Sequence, residues 1–272
     1  MVGADEFRSL PSLRRHIKLA LPFAAIHAAG TVALALLAGL LASAVWYPYP
    51  YSQLSGGYGL LFLVIVAVIV GGPLVTLAVF TKTKSRIELV RELGMVVLIQ
   101  LGALSYGLHT AYQARPLFLV HEVDRFRVIA EVDFLGVDVR KDIKALREEL
   151  QPTLFSGPRL VGTRKAKDMV EHAEVMFQSL KGGRDTSQRP DFYVPYNAAY
   201  ALAAVERAKP LARFLERFPD ATAAASDVLG DKGVAVGDAL FLPVAHRQDW
   251  IVILDKQGNI LGFMPGDGFG IV

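Results

Sequence analysis

The chain has 272 residues, of which 53% are hydrophobic and 20% charged, too apolar a balance for an ordinary soluble domain, where about a quarter of residues are charged. Its formal net charge of +3 arises in short basic segments beside apolar runs, the remainder is close to neutral, and no nucleic-acid partner is expected. The absence of cysteine excludes disulfides, thiolate metal sites and cysteine nucleophiles.

Residues 1–18 are polar and end in the basic cluster Arg14-Arg15-His16-Ile17-Lys18, which the positive-inside bias keeps in the cytoplasm. From Leu19 to Thr81 there is no Asp, Glu, Lys or Arg. A bilayer crossing needs about 20 apolar residues, so this run predicts two crossings, at about 19–45 and 57–81. A cleaved signal peptide is the competing reading of the first, with Ala42-Ser43-Ala44 as its site, but the run far exceeds a signal core. Ala35, Gly39 and Ser43 share one stripe, as close helix packing in lipid favours and as Ala-rich spans also produce by chance. His27 lies at membrane depth. With no carboxylate in the first two spans, a neutral imidazole bonded to a neighbouring helix is the expectation.

Trp46-Tyr47-Pro48-Tyr49-Pro50-Tyr51 ends the first span. Aromatics there form an interfacial belt, prolines end the helix, and a loop without Lys or Arg belongs outside. The repeated Tyr-Pro exceeds what a belt requires and suggests a recognition surface. Gly71-Gly72-Pro73 predicts a kink in the second span. The segment 82–92, with Lys82, Lys84, Arg86 and Arg91, forms a cytoplasmic connection, and a third crossing follows at about 93–112, with Gln100 as an interhelical hydrogen bonder. Three crossings place 114–272 on the outer face.

The remainder reads as an α+β domain. Strands are predicted at Leu117–Val123 and Phe126–Phe134, joined by Asp124-Arg125, and helices at Asp138–Leu150, at Thr163–Leu180 with Thr163 as N-cap, and at Tyr196–Phe218 with a break at Pro210. Asp220 is the expected cap of a short Ala-rich helix. Strands return at Ala239–Ala245, Trp250–Leu254 and Asn259–Met264, the last two forming a hairpin with Gly258 at positive φ. The predicted class is a three-helix transmembrane unit, 19–113, followed by a soluble mixed α/β domain, 114–272.

No phosphate loop, His-Glu-x-x-His or Gly-x-Ser-x-Gly occurs. In His121-Glu122-Val123-Asp124 strand alternation divides the candidate metal ligands between two faces. No enzymatic activity, metal or cofactor is expected, and spans without acids offer no ion path of the usual kind.

Several strings together resemble the TfpX/TfpZ family of type IV pilin accessory proteins: Trp46-Tyr47-Pro48-Tyr49-Pro50 with Ser55-Gly56-Gly57, Gly72-Pro73-Leu74-Val75-Thr76-Leu77, Gln100-Leu101, Tyr106-Gly107, and Ala114-Arg115-Pro116 running into Val123-Asp124-Arg125-Phe126. Weaker echoes are Arg189–Tyr196 and Asp249-Trp250-Ile251-Val252. Val68 stands where the family tends to carry Asp, and Glu92 where Asp is usual. The resemblance implies a protein of the bacterial inner (cytoplasmic) membrane, in agreement with the multi-pass topology read above, with a cytoplasmic N-terminus and a periplasmic C-terminal domain. Its implied partners are the lipid bilayer and a cognate type IV pilin, which it helps to be stable or to assemble. Trp46, Tyr47, Pro48, Tyr49, Gly72, Pro73, Gln100, Arg115, Pro116, Asp124, Arg125 and Phe126 are the candidate interaction surface. The alternative from a different class is a membrane-anchored sensor whose periplasmic domain binds a small ligand.

Overall fold

The computed structural model describes residues 6–56 and 85–271, with Gly59, Phe62, Val66, Gly71 and Leu74 between them. The chain divides into two compact units, Met1–Ala44 with Tyr58–Tyr112, and Val45–Gly57 with Gln113–Val272.

Two stretches, Ala20–Trp46 and Val90–Gln113, all but their last residues in the first unit, are helices long and apolar enough to cross a membrane. The predicted second crossing, with Val68, Gly72 and Pro73, lies outside the described residues apart from the five single ones, each of which is helical. The helix expected from Leu93 begins instead at Arg86. Its start is a capping box: the Glu88 amide donates to Ser85 Oγ at 3.3 Å and the Glu88 carboxylate accepts from the Ser85 amide at 2.9 Å. The small-residue stripe is present. Ala20, Ala24, Ala35, Gly39 and Ala42 are buried and Ser43 is half-buried, whereas Ile26, Leu40, Leu98 and Ile99 are exposed. Burying alanines while exposing leucines is the arrangement that lipid tolerates and water does not. His27 Nε2 lies 2.6 Å from Gln100 Oε1, the interhelical bond expected of both residues, worth about 0.6 kcal/mol in a membrane.

The second unit is built on an eight-stranded mixed sheet ordered β4-β3-β1-β2-β6-β7-β8, with β5 paired to β6. The strands are β1 Pro116–Glu122, β2 Arg125–Ala130, β3 Arg159–Thr163, β4 Tyr193–Pro195, β5 Lys209–Pro210, β6 Leu240–Ala245, β7 Trp250–Leu254 and β8 Ile260–Pro265. β1 pairs parallel with β3 and β2 parallel with β6; the other pairings are antiparallel.

Several predicted boundaries move, each for a local reason. The β1–β2 turn falls at Val123-Asp124, one residue early, with Val123 at φ 56°. β2 stops at Ala130 because Asp133 accepts its amide at 2.8 Å, and a 3-10 turn over Glu131–Phe134 replaces the end of the predicted strand. The predicted Asp138–Leu150 helix breaks into Arg140–Ala145 and the turn Glu148–Leu150, where the Gln151 amide bonds the carbonyls of Lys144 and Leu146. Thr163 ends a strand rather than capping a helix; Asp168 caps Met169–Leu180 by accepting the Glu171 amide at 2.8 Å. Helices form at Ala198–Val205 and Leu211–Arg217, separated by β5, where Pro210 occupies a two-residue edge strand. Thr222–Gly230 is the Ala-rich helix, entered through a 3-10 turn at Pro219–Ala221.

Strand alternation assigns the core. One sheet face carries Leu119, Phe126, Val128, Leu242, Val244 and Val252, packed with Ala204 from the Ala198–Val205 helix and with Leu54 from the connection between the first two apolar runs. Opposite are two separate apolar clusters. Phe118, Val120, Ile129 and Val161 pack with Phe134 and Leu150, while Phe241, Ile251 and Ile253 pack with Leu211, Phe214 and Leu229.

Candidate functional site

Between those two clusters the sheet carries charge. Glu122, Arg125 and Arg127 alternate with the apolar positions of β1 and β2, so the strand period that buries Phe126 and Val128 turns the arginines to the other face. There they line a groove of about 780 Å³ with Asp124, Asp133, Asp185, His246 and Arg247. Arg127 donates to Asp185 at 2.6 Å and Arg125 to Asp124 at 2.8 Å. Burial pushes the Asp185 carboxyl up, yet bonds from Ser179 and Arg127 hold it below its ordinary value. The Arg125 bond likewise lowers Asp124, and the Arg125 guanidinium lies 5.0 Å from the Phe269 ring centre. The Ser187 amide donates to Glu122 at 3.3 Å. Burial pushes His246 down to about 4, so it is neutral at pH 7. The groove offers oriented charges of both signs, suited to gripping a polar segment. Among the described residues no three His, Asp or Glu side chains form a metal-ligand group.

The connection after the first apolar helix belongs to this domain. The Trp46 indole donates to the Leu154 carbonyl at 3.0 Å. Pro48 lies so close to Gly157 that a Cβ there would stand 3.3 Å from its ring. Tyr47 is buried, its phenol raised to about 12 by desolvation although Arg247 and Arg115 pull the other way. A one-turn helix, Tyr51–Leu54, then sets Leu54 in the core and Tyr51 against Phe263, ring centres 6.2 Å apart.

Of the predicted surface residues, Tyr47, Arg115, Pro116 and Phe126 are buried, Trp46 and Pro48 are half-buried, and Tyr49 and Asp124 are exposed. Arg125 is half-buried in the groove wall. Gly72 and Pro73 lie outside the described residues, and Gln100 belongs to the other unit. Most of the series therefore joins the connection to the sheet, leaving Tyr49, Asp124 and Arg125 for contact.

A second cleft, of about 1170 Å³, was not anticipated. Met169, Met176, Phe192 and Val194 contribute apolar walls, with His121, Thr163 and Tyr200 among its lining residues. The Met169–Leu180 helix buries none of its residues. The Thr163 amide donates to the Tyr200 hydroxyl at 2.8 Å, which lies 3.0 Å from His121 Nδ1. His121 and Glu122 do face opposite ways, as alternation requires. His121 is 2% exposed and burial pushes it down to about 4. Its folded pKa lies below its unfolded value near 6.5, so the unfolded chain binds more protons between those limits and stability is lost as pH falls from about 6.5 to 4. For His121 this is on the order of 3 kcal/mol. Unfolding of the detergent-solubilised protein followed over that range is expected to show the fall; H121Q is expected to remove part of it and leave the part due to His246, which burial lowers over the same window. Asp138 and Glu171, held down to about 2 chiefly by bonds from Arg140 and Arg164, act lower, as pH falls through about 4 towards 2.

No solved structure matches the chain. The sequence model of the family described as fimbrial assembly protein FimB matches residues 15–56, which take in the first apolar helix and the connection after it. A fimbrial assembly protein, serogroup I, of Dichelobacter nodosus is 32% identical over 239 residues, 86% of this chain and 90% of the relative. The serogroup E1 protein of the same organism is 31% identical over 242 residues, covering 88% and 91%. A shorter match, to the protein of serogroups C1 and C2, is 39% identical over 101 residues, covering 37% and 76%. With identity of this level extending over nearly both full lengths, the chain belongs to the family of fimbrial assembly proteins.

Proposed function

We propose that this protein is a non-enzymatic accessory factor of the TfpX/TfpZ kind, which holds a type IV pilin stable or ready for assembly in the bacterial cytoplasmic membrane. The observation that carries this reading is the near-full-length likeness to fimbrial assembly proteins. The fold supports a topology as well. Val45–Gly57 and Gln113–Val272 form one unit, which supports a chain that leaves the first span and the Arg86–Gln113 helix on the same side of the bilayer. The length of the intervening charge-free run, enough for a second crossing, agrees with this and favours three crossings. The basic N-terminus puts that side in the periplasm.

Reporter fusions are expected to place residue 86 inside and residues 53 and 200 outside; a cytoplasmic residue 200 overturns the topology. Co-purification of the full-length protein with the pilin encoded by its own organism is expected, and R125E, in the charged groove, is expected to reduce it. The second cleft favours the sensor reading instead, because apolar walls with buried polar groups suit a small ligand. A small molecule that raises the melting temperature and loses that effect in M176E supports the sensor.

A further inference from the structure

Apolar residues are out of place at a turn tip, where Gly, Asn, Asp, Pro and Ser dominate for conformational reasons. Thr153–Ser156 breaks that rule. The Thr153 amide donates to Ser156 Oγ at 2.8 Å and the Ser156 amide to the Thr153 carbonyl at 3.4 Å, closing a turn whose two central residues are Leu154 and Phe155. Leu154 is 47% exposed and Phe155 81% exposed.

The same turn is fastened to the chain where the first apolar span ends. Trp46, the last residue of the apolar helix Ala20–Trp46, donates its indole to the Leu154 carbonyl at 3.0 Å, and Pro48 packs on Gly157. The exposed ring of Tyr49 belongs to the same connection. An indole at the end of a span marks the depth of the lipid headgroups. A turn bonded directly to that indole is held at that depth, and its own side-chain hydroxyl satisfies part of its backbone.

We propose that the Leu154–Phe155 turn inserts its side chains into the headgroup boundary of the bilayer, as a second anchor beside the spans. The occupant is lipid rather than protein because the turn is continuous, through Trp46, with the apolar helix itself. Thr153 to Gly157 carries no charged residue, so insertion does not require anionic lipid. The inference rests on the membrane-spanning reading of the Ala20–Trp46 helix.

The cysteine-free chain allows the test to be run on the full-length protein. Single cysteines replace Phe155, Leu37 in the span, and Val123, 65% exposed at the β1–β2 tip. Each is labelled with the environment-sensitive dye NBD and reconstituted in phosphatidylcholine vesicles containing shallow or deep spin-labelled lipid quenchers. Position 155 is expected to emit blue-shifted light and to be quenched most by the shallow label. Position 37 is expected to respond to the deep label, and position 123 to neither. Water-like emission at 155 while 37 is quenched overturns the inserted turn and leaves the spanning reading intact. Loss of quenching at both 37 and 155 overturns both.

Discussion

Leu54→Ala in the full-length protein is expected to lower the stability of the α/β unit by about 2–5 kcal/mol, the range for removing a buried leucine from a core. Leu54 is fully buried among Leu119, Phe126, Val128 and Leu242, although it lies in the connection between two apolar runs. Tyr49, in the same connection but 65% exposed, gives the control: Tyr49→Ala is expected to change stability by no more than about 0.5 kcal/mol. The chain's two tryptophans, Trp46 and Trp250, both fall in this unit, so intrinsic fluorescence in urea reports its unfolding. A fragment beginning at Gln113 lacks Tyr47, Tyr51 and Leu54 and uncovers the part of one sheet face that Leu54 and Tyr51 pack on; it is expected to aggregate, and addition of residues 45–57 by a linker to restore solubility. Equal effects of the two alanine substitutions would mean that the connection is a tether and not part of the core.

Gly258→Ala is expected to cost about 2–5 kcal/mol through two separate penalties. Gly258 closes the β7–β8 turn at φ 81°, and its added Cβ would lie 2.3 Å from the Ala201 carbonyl oxygen. Left-handed backbone costs a non-glycine residue about 1–2 kcal/mol, and overpacking adds about 1–3. The second penalty cannot be relieved cheaply. Ala201 belongs to the helix that supplies Ala204 to the core, and the Tyr196 hydroxyl donates to the Gly258 carbonyl at 2.8 Å. Gly237→Ala, with open space around it and no positive φ, is the matched control and is expected to be nearly neutral. Urea unfolding distinguishes them; equal small losses would mean that the turn and the Ala198–Val205 helix are not in contact.

What could be read from the sequence was what depends on local rules. The charge-free run, the buried small-residue stripe, the His27–Gln100 pair and the Trp250–Pro265 hairpin with its glycine all follow from spacing and residue chemistry. Local signals also misled. Thr163 resembles an N-cap but ends β3, because its amide and hydroxyl are committed to Tyr200 and to the His121 carbonyl. β4 is three residues long and ends in Pro195, too short for alternation to show. Trp46–Tyr51 has the pattern of an interfacial belt, and nothing local reveals that Leu54 completes a core whose other members begin more than sixty residues later.

The candidate site follows the same division. Asp124-Arg125 stands out through the family motif, and alternation alone sends Arg125 and Arg127 to the face opposite Phe126. Their companions Asp185, His246 and Arg247 arrive from distant segments joined only by the fold. The second cleft depends on the placement of the Met169–Leu180 helix, none of whose residues is buried.

The central claim, an accessory role in pilus assembly, is tested most directly by deleting the gene and measuring pilin level and surface pili together, with the wild-type gene returned on a plasmid. The account predicts loss of surface pili, a fall in cell-associated pilin, and restoration of both by the returned gene. Pilin level and surface pili unchanged in the deletion strain would contradict it.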